Sequence, residues 1–129
     1  MGDPLDQHTI RKTRGLRHVV DASRYSWGGL KRLTAEPAFR LEVAAYLAVA
    51  ALFALSGAGL ADHAIALILF LVLLAVEALN TAIEELVDRV SPEISDMARH
   101  AKDLGSFAVG CLLVAGGVWA LSVLARLWL

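Results

Sequence analysis

Ala64-Ile-Ala-Leu-Ile-Leu-Phe-Leu-Val-Leu-Leu-Ala-Val-Glu77-Ala-Leu-Asn80-Thr81-Ala-Ile-Glu84-Glu85-Leu-Val87 decides the fold of this chain. A bilayer-spanning helix needs about 20 apolar residues, because the hydrocarbon core is roughly 30 Å thick and a helix rises about 1.5 Å per residue. Only Ala64–Val76 is free of charge, and its 13 residues are too few. The block reaches 24 residues only if Glu77 and Glu84 lie inside it. Continued to Asp88, a helix places Glu77, Asn80, Glu84 and Asp88 within an arc of about 80°, with Thr81 close by. Leu79, Ile83, Leu86 and Val90 take the opposite face. An unpaired charge near the bilayer centre costs about 2.5–3.5 kcal/mol on insertion scales. This polar stripe must therefore face protein or water. It serves either a functional site or helix packing, and intramembrane ionisable residues point to function by default.

Two further blocks flank this one: Val43–Leu60, with 18 uncharged residues, and Leu104–Ala125, with 22. Hydrophobic residues make up 57% of the chain, above the roughly 45–50% of soluble domains. Strands would leave backbone groups unpaired in lipid. The expectation is an all-α membrane protein, one domain over residues 1–129. It has an N-terminal arm and surface helix (1–35) and transmembrane segments at 36–60, 64–88 and 102–125. Val43–Leu60 begins too far into the chain, and runs too long, for the apolar core of a signal peptide. Asp6 stands where a myristoylation site would want Ser or Thr. A lone Cys111 excludes an internal disulfide and a multi-cysteine metal site. The net charge of −1 gives no sign of a nucleic-acid partner.

Basic residues give the orientation. Arg11, Lys12, Arg14, Arg17, Arg24, Lys31, Arg32 and Arg40 precede the first block, and Ser56–His63 has none. Arg89, Arg99 and Lys102 lie around the second connection. The positive-inside rule puts the N-terminus and the second connection in the cytoplasm, and the C-terminus on the other side. Trp119 and Trp128 suit interfacial anchoring, Trp128 better. Residues 10–32 mix basic residues with Leu16, Val19, Val20, Tyr25, Trp27 and Leu30, as a surface-lying helix does. Gly28-Gly29 is expected to break or bend it. Glu36-Pro37 reads as the entry of the first span, with proline at the first helical position.

Two more polar groups fall on the cytoplasmic side: Asp96, Arg99, His100, Lys102, Asp103 and Ser106 in one, Glu36, Arg40 and Glu42 in the other. Capping and snorkelling offer a structural account of the first. Three separate segments converging at one depth favour a site. Its inventory is carboxylates, an amide and a lysine, with no nucleophilic Cys and no Ser–His pair. Hard oxygen ligands suit Mg2+. A carboxylate in a low-dielectric site holds its proton more tightly and accepts one from a hydroxyl. The set fits metal-assisted phosphoryl transfer, although the chain has neither a phosphate-binding P-loop nor a Gly-rich kinase loop.

The same residues carry a resemblance. Glu77-Ala-Leu-Asn80-Thr81-Ala82-Ile83-Glu84-Glu85-Leu-Val87-Asp88 meets every fixed position of E-x-[LIVM]-N-[ST]-[SA]-[LIV]-E-x-x-[VL]-D, and so resembles the signature of the prokaryotic diacylglycerol kinase family. Tyr25-Ser26-Trp27, Ala38-Phe39-Arg40-Leu41-Glu42 and Ala101-Lys102-Asp103-Leu104-Gly105-Ser106 match as well. The likeness spans about residues 17–125. It implies a homotrimer of three-span subunits with N-terminal surface helices, in a bacterial inner membrane. It implies transfer of the γ-phosphate of MgATP to the hydroxyl of diacylglycerol, with sites shared between subunits. By the same resemblance Glu77 is the catalytic base, and Glu36 and Glu84 hold Mg2+. Asn80 orients Glu77 or substrate, and Lys102 contacts phosphate. Asp103, Tyr25, Ser26 and Arg40 complete the nucleotide and interface shell, and Arg17 or His18 aligns with an upstream basic contact. His100 departs from the pattern, since the family usually has Arg there. Arg99, one place earlier, is turned by about 100° on a helix.

Undecaprenol kinase is the nearest alternative, although Lys-Asp-Leu-Gly-Ser is closer to the diacylglycerol branch. A small proton-coupled transporter would use an intramembrane Glu, but has no need of Glu36, Glu84 and the Lys102-Asp103 group. A nonenzymatic packing subunit leaves the whole signature unexplained.

Overall fold

In a computed structural model, which describes residues 15–93 and 95–129, the chain forms α1 (Leu16–Leu33), α2 (Pro37–Ser56), α3 (Leu60–Val90) and α4 (Asp96–Trp128). The reading of a surface helix from residue 10 lies outside the described residues up to position 14; α1 begins at Leu16. It runs unbroken through Gly28-Gly29. Two mid-helix glycines each cost roughly 0.5–1 kcal/mol relative to alanine, which this helix tolerates.

Local residues set the boundaries of the remaining helices. Glu36 is extended (φ −79°, ψ 127°) and Pro37 opens α2, where its fixed φ and missing N–H cost nothing. Gly57 ends α2 in the left-handed region (φ 75°), so the helix stops short of Leu60. Asp62 caps α3 by accepting the Gly59 N–H at 3.0 Å. Ser95 caps α4 through the Ala98 N–H at 3.1 Å. Helix α4 therefore starts ahead of the apolar block, and Arg99, His100, Lys102 and Asp103 all ride on it.

Helices α2, α3 and α4 are each long and apolar enough to cross a membrane. Many of their large apolar side chains are exposed, among them Leu47, Leu55, Ile68, Leu71, Phe107 and Leu121. In water such surfaces would be unstable; in lipid they are at home. This is a membrane protein.

Helix α3 runs antiparallel to both α2 and α4, and α4 packs mainly on α3. Tyr46 of α2 stacks on Phe70 of α3 with ring centroids 4.2 Å apart. At the end near the α2–α3 connection, fully buried Phe53 meets His63 edge-on at 5.7 Å. There Arg126 Nη2 donates to Asp62 Oδ1 at 2.7 Å, and Trp119 Nε1 donates to the Asp62 carbonyl at 3.2 Å. Trp128 Nε1 donates to Ser56 Oγ at 2.9 Å. Both tryptophans thus pin helices together. The opposite end gathers the N-terminus of α2, the C-terminal half of α3 and the start of α4, and it is here that the polar residues collect.

Candidate active site

The stripe on α3 turns inward. Glu77 is 5% exposed, Asn80 8% and Thr81 7%, while Leu79, Leu86 and Val90 on the other face are open. An amphipathic α3 buries its polar side here because its outer face meets lipid. Helix α4 covers the stripe through Gly105: a Cβ at that position would overlap the Asn80 side-chain oxygen. Glycine in Lys-Asp-Leu-Gly-Ser therefore lets the α4 backbone lie against the Asn80 amide.

Asn80 Nδ2 donates to Glu84 Oε1 at 3.3 Å, one turn along α3. The amide thus holds Glu84 rather than Glu77, and its buried Oδ1 has no hydrogen-bond partner. The charges of Glu36 and Glu84 act on Glu77, so three elements of the sequence reading share one electrostatic neighbourhood. Glu36 itself is held by Arg32, whose Nη1 donates to Glu36 Oε1 at 2.6 Å.

Lys102 reaches from α4 to α3, where its Nζ lies 2.5 Å from Asp88 Oδ1, and its charge also interacts with Glu84. Lys102 and Asp103 line a cleft of about 280 Å³ together with Asp88, Ser91, Ser95 and Arg99. Arg99, turned away from the position of His100, faces this cleft and pairs with Asp96 at 3.1 Å.

Arg17, His18, Tyr25 and Ser26 are on the exposed surface of α1. Among the described residues none of the four hydrogen-bonds to the group around Glu77. Arg40 is exposed at the start of α2 and donates to the Ala35 carbonyl at 3.3 Å. The chain thus sets Asn80 on Glu84 and puts Glu36, Glu77 and Glu84 within reach of one another's charge, with Lys102 near Glu84, while Asp103 lines the adjacent cleft. The α1 residues and Arg40 remain outside that cluster.

Glu42 has a larger part than the sequence reading gave it. It is 7% exposed, it lies within reach of the Glu77 charge, and its Oε2 has no hydrogen-bond partner. It also stands at one end of an apolar cavity of about 230 Å³ walled by Tyr46, Phe70, Leu73 and Trp119. The signal was available: three residues after Arg40, at Val43, the first span becomes free of charge, and Glu42 is the last acid before it.

Among the described residues no three His, Cys, Asp or Glu side chains are set to hold a metal by themselves. Mg2+ is commonly bound by one or two carboxylates together with substrate phosphates. The donor set of Glu36 and Glu84, two hard oxygens near one buried carboxylate, has the matching chemistry.

A multi-span helical protein with buried carboxylates on one helix and a lysine across from them belongs to the class of integral membrane proteins with an ionisable site. Comparison with known proteins narrows the class. The family model for prokaryotic diacylglycerol kinase matches residues 24–124. A diacylglycerol kinase of Sinorhizobium sp is 54% identical over 111 residues, covering 86% of this chain and 81% of that protein. The diacylglycerol kinase of Escherichia coli K12 is 32% identical, covering 84% and 91%. That of Pseudomonas aeruginosa is 37% identical over 95 residues, covering 73% and 77%. The chain belongs to the prokaryotic diacylglycerol kinase family.

Proposed function

We propose that this chain is a membrane lipid kinase that transfers the γ-phosphate of ATP to the hydroxyl of diacylglycerol, giving phosphatidic acid. One observation carries the reading: the family's signature on α3 is the very stripe that the fold buries, with Glu77 and Asn80 enclosed and Glu84 held by Asn80.

Phosphoryl transfer needs positioning and charge neutralisation more than covalent help. In the proposed step the lipid oxygen forms a bond to the γ-phosphorus as the bond between that phosphorus and the bridging oxygen of ADP breaks. The hydroxyl proton passes to Glu77, the base. Glu36 and Glu84 would hold Mg2+, with Asn80 fixing the Glu84 carboxylate. A cation held there would neutralise charge on the phosphates. Lys102, released from Asp88, turns its ammonium to phosphate, and Asp103 lies beside it in the cleft. Tyr25, Ser26 and Arg40, with Arg17 or His18, complete the nucleotide shell when α1 lies on the cytoplasmic membrane surface.

Among the described residues none of these last side chains hydrogen-bonds to the Glu77 group within one subunit, and the family resemblance supports a homotrimer whose sites combine residues of neighbours. The lysine and arginine distribution supports a cytoplasmic N-terminus and a C-terminus across the inner membrane. The deciding experiment supplies the purified protein with ATP, Mg2+ and either diacylglycerol or undecaprenol. Transfer of labelled phosphate to diacylglycerol is expected. Transfer to undecaprenol alone would reassign the substrate, and transfer to neither would overturn the kinase reading.

A further inference from the structure

Arg32, in the last turn of α1, makes a fork between two acids of different helices. Its Nη1 donates to Glu36 Oε1 at 2.6 Å, and its Nε lies 2.5 Å from Glu85 Oε1. Glu36 precedes α2, and Glu85 sits on α3 beside Glu84. A guanidinium presents its donors in a fixed plane and binds two carboxylates at once, which a lysine ammonium does with far less direction. Glu36 and then Glu85 hold the Arg32 cation above its already high pKa.

The fork determines what Glu36 is free to do. Glu36 stands at the N-cap of α2, yet its carboxylate makes no capping bond there. It is taken by Arg32 instead. Its charge reaches Glu77, which also feels Glu84. Arg32 is therefore a counter-cation of this acidic group, and it takes one of the two Glu36 carboxylate oxygens.

We propose that Glu85 is a positioning residue for the phosphoryl-transfer site: by giving Arg32 a second partner on α3, it allows Glu36 to exchange Arg32 for a divalent cation. The proposal rests on the assignment of Glu36 as a cation ligand made above. With Glu85 present, Arg32 keeps one carboxylate after Glu36 turns away, and α1 keeps its tie to α3. With Glu85 neutralised, Glu36 is the one acid left in the fork, and a divalent cation must strip Arg32 of it. Glu85 thus acts on the cation through Arg32 and without touching substrate. Both ion pairs are partly solvated, with Arg32 46% and Glu85 54% exposed, so the effect is moderate, about two- to fivefold in half-saturation, as befits exposed pairs.

The test titrates Mn2+ in the presence of ADP into the full-length protein in detergent and counts free Mn2+ by electron paramagnetic resonance. Wild type, Glu85→Gln, Arg32→Gln, the double variant, Glu85→Asp and Glu36→Gln are compared. Glu85→Gln is expected to raise the half-saturating Mn2+, and Glu85→Asp to restore part of the loss. In the Arg32→Gln background Glu85→Gln should have no further effect, since residues acting through one network are non-additive. If Glu36→Gln weakens Mn2+ uptake while Glu85→Gln leaves it unchanged, or if Glu85→Gln is equally damaging with and without Arg32, the coupling is wrong and the ligand assignment stands. If Glu36→Gln leaves Mn2+ uptake unchanged, the ligand assignment fails and the coupling falls with it.

Discussion

Gly105 of α4 lies against the side chain of Asn80 on α3 so closely that a single methyl group at position 105 would overlap the amide oxygen. Gly105→Ala must push α4 outward or turn Asn80, and with it Glu84. Overpacking of this kind typically costs about 1–3 kcal/mol, and a displacement near 1 Å at a reacting group can cost about 10²-fold in rate. Lower resistance to denaturing detergent and a fall in kcat are both expected. Gly28→Ala and Gly29→Ala serve as contrasts, because a Cβ at either meets nothing; they should be neutral or stabilising by roughly 0.5–1 kcal/mol.

Glu77→Gln keeps size and hydrogen bonding but removes the proton acceptor. The expected loss is about 10²–10⁴ in kcat, the usual worth of a positioned general base, with little change in the KM for ATP. Glu77→Asp should retain more activity than Glu77→Gln and still lose much, because the carboxylate withdraws by one methylene. Steady-state kinetics distinguish this from a binding role: a raised nucleotide KM with kcat spared would move the base elsewhere, with Asp103 next in line.

Glu36→Gln and Glu84→Gln each remove a hard oxygen ligand and a negative charge. Each should raise the Mg2+ concentration needed for half-maximal activity at fixed ATP. Unchanged Mg2+ dependence in both folded variants would remove these residues from the cation site.

Subunit mixing examines the shared site. Neither a Glu77→Gln protein nor an Arg40→Ala protein should be fully active alone. Co-assembled from a denatured mixture, they should recover part of the activity if one subunit supplies Glu77 and its neighbour Arg40. Absence of recovery at every mixing ratio would argue for sites complete within one chain.

Orientation is open to reporter fusions. A reporter after Leu129 should be found on the non-cytoplasmic side and one near Ser91 in the cytoplasm. The reverse would separate the carboxylates from the ATP pool.

The helical class and the buried stripe were legible because both follow from periodicity and the cost of charge in lipid. Glu77, Asn80 and Glu84 are where a helix of 3.6 residues per turn puts them. Other features are properties of tertiary contact. That α1 continues through Gly28-Gly29 reflects a helix with space around it, which a glycine pair does not announce. The fork of Arg32 joins residues 53 positions apart, and nothing in either local segment marks the pairing. Glu42 could be grouped with Glu36 and Arg40, but its burial beside Glu77 depends on how α2 crosses α3. Trp119 reads as an interfacial anchor because tryptophan often is one; its N–H is instead spent on the Asp62 backbone.

The polar contacts of Asp62 join α3 to α4, and that of Trp128 with Ser56 joins α4 to α2, at the end away from the site. Asp62 precedes Glu77 by 15 positions on one helix, a lever arm of about 22 Å at about 1.5 Å per residue. A tilt of about 5° around that fulcrum swings the carboxylate by about 2 Å, more than the roughly 1 Å that reacting groups tolerate. The position of the Glu77 carboxylate is therefore set in part at the far end of the bundle, by the Asp62–Arg126 ion pair.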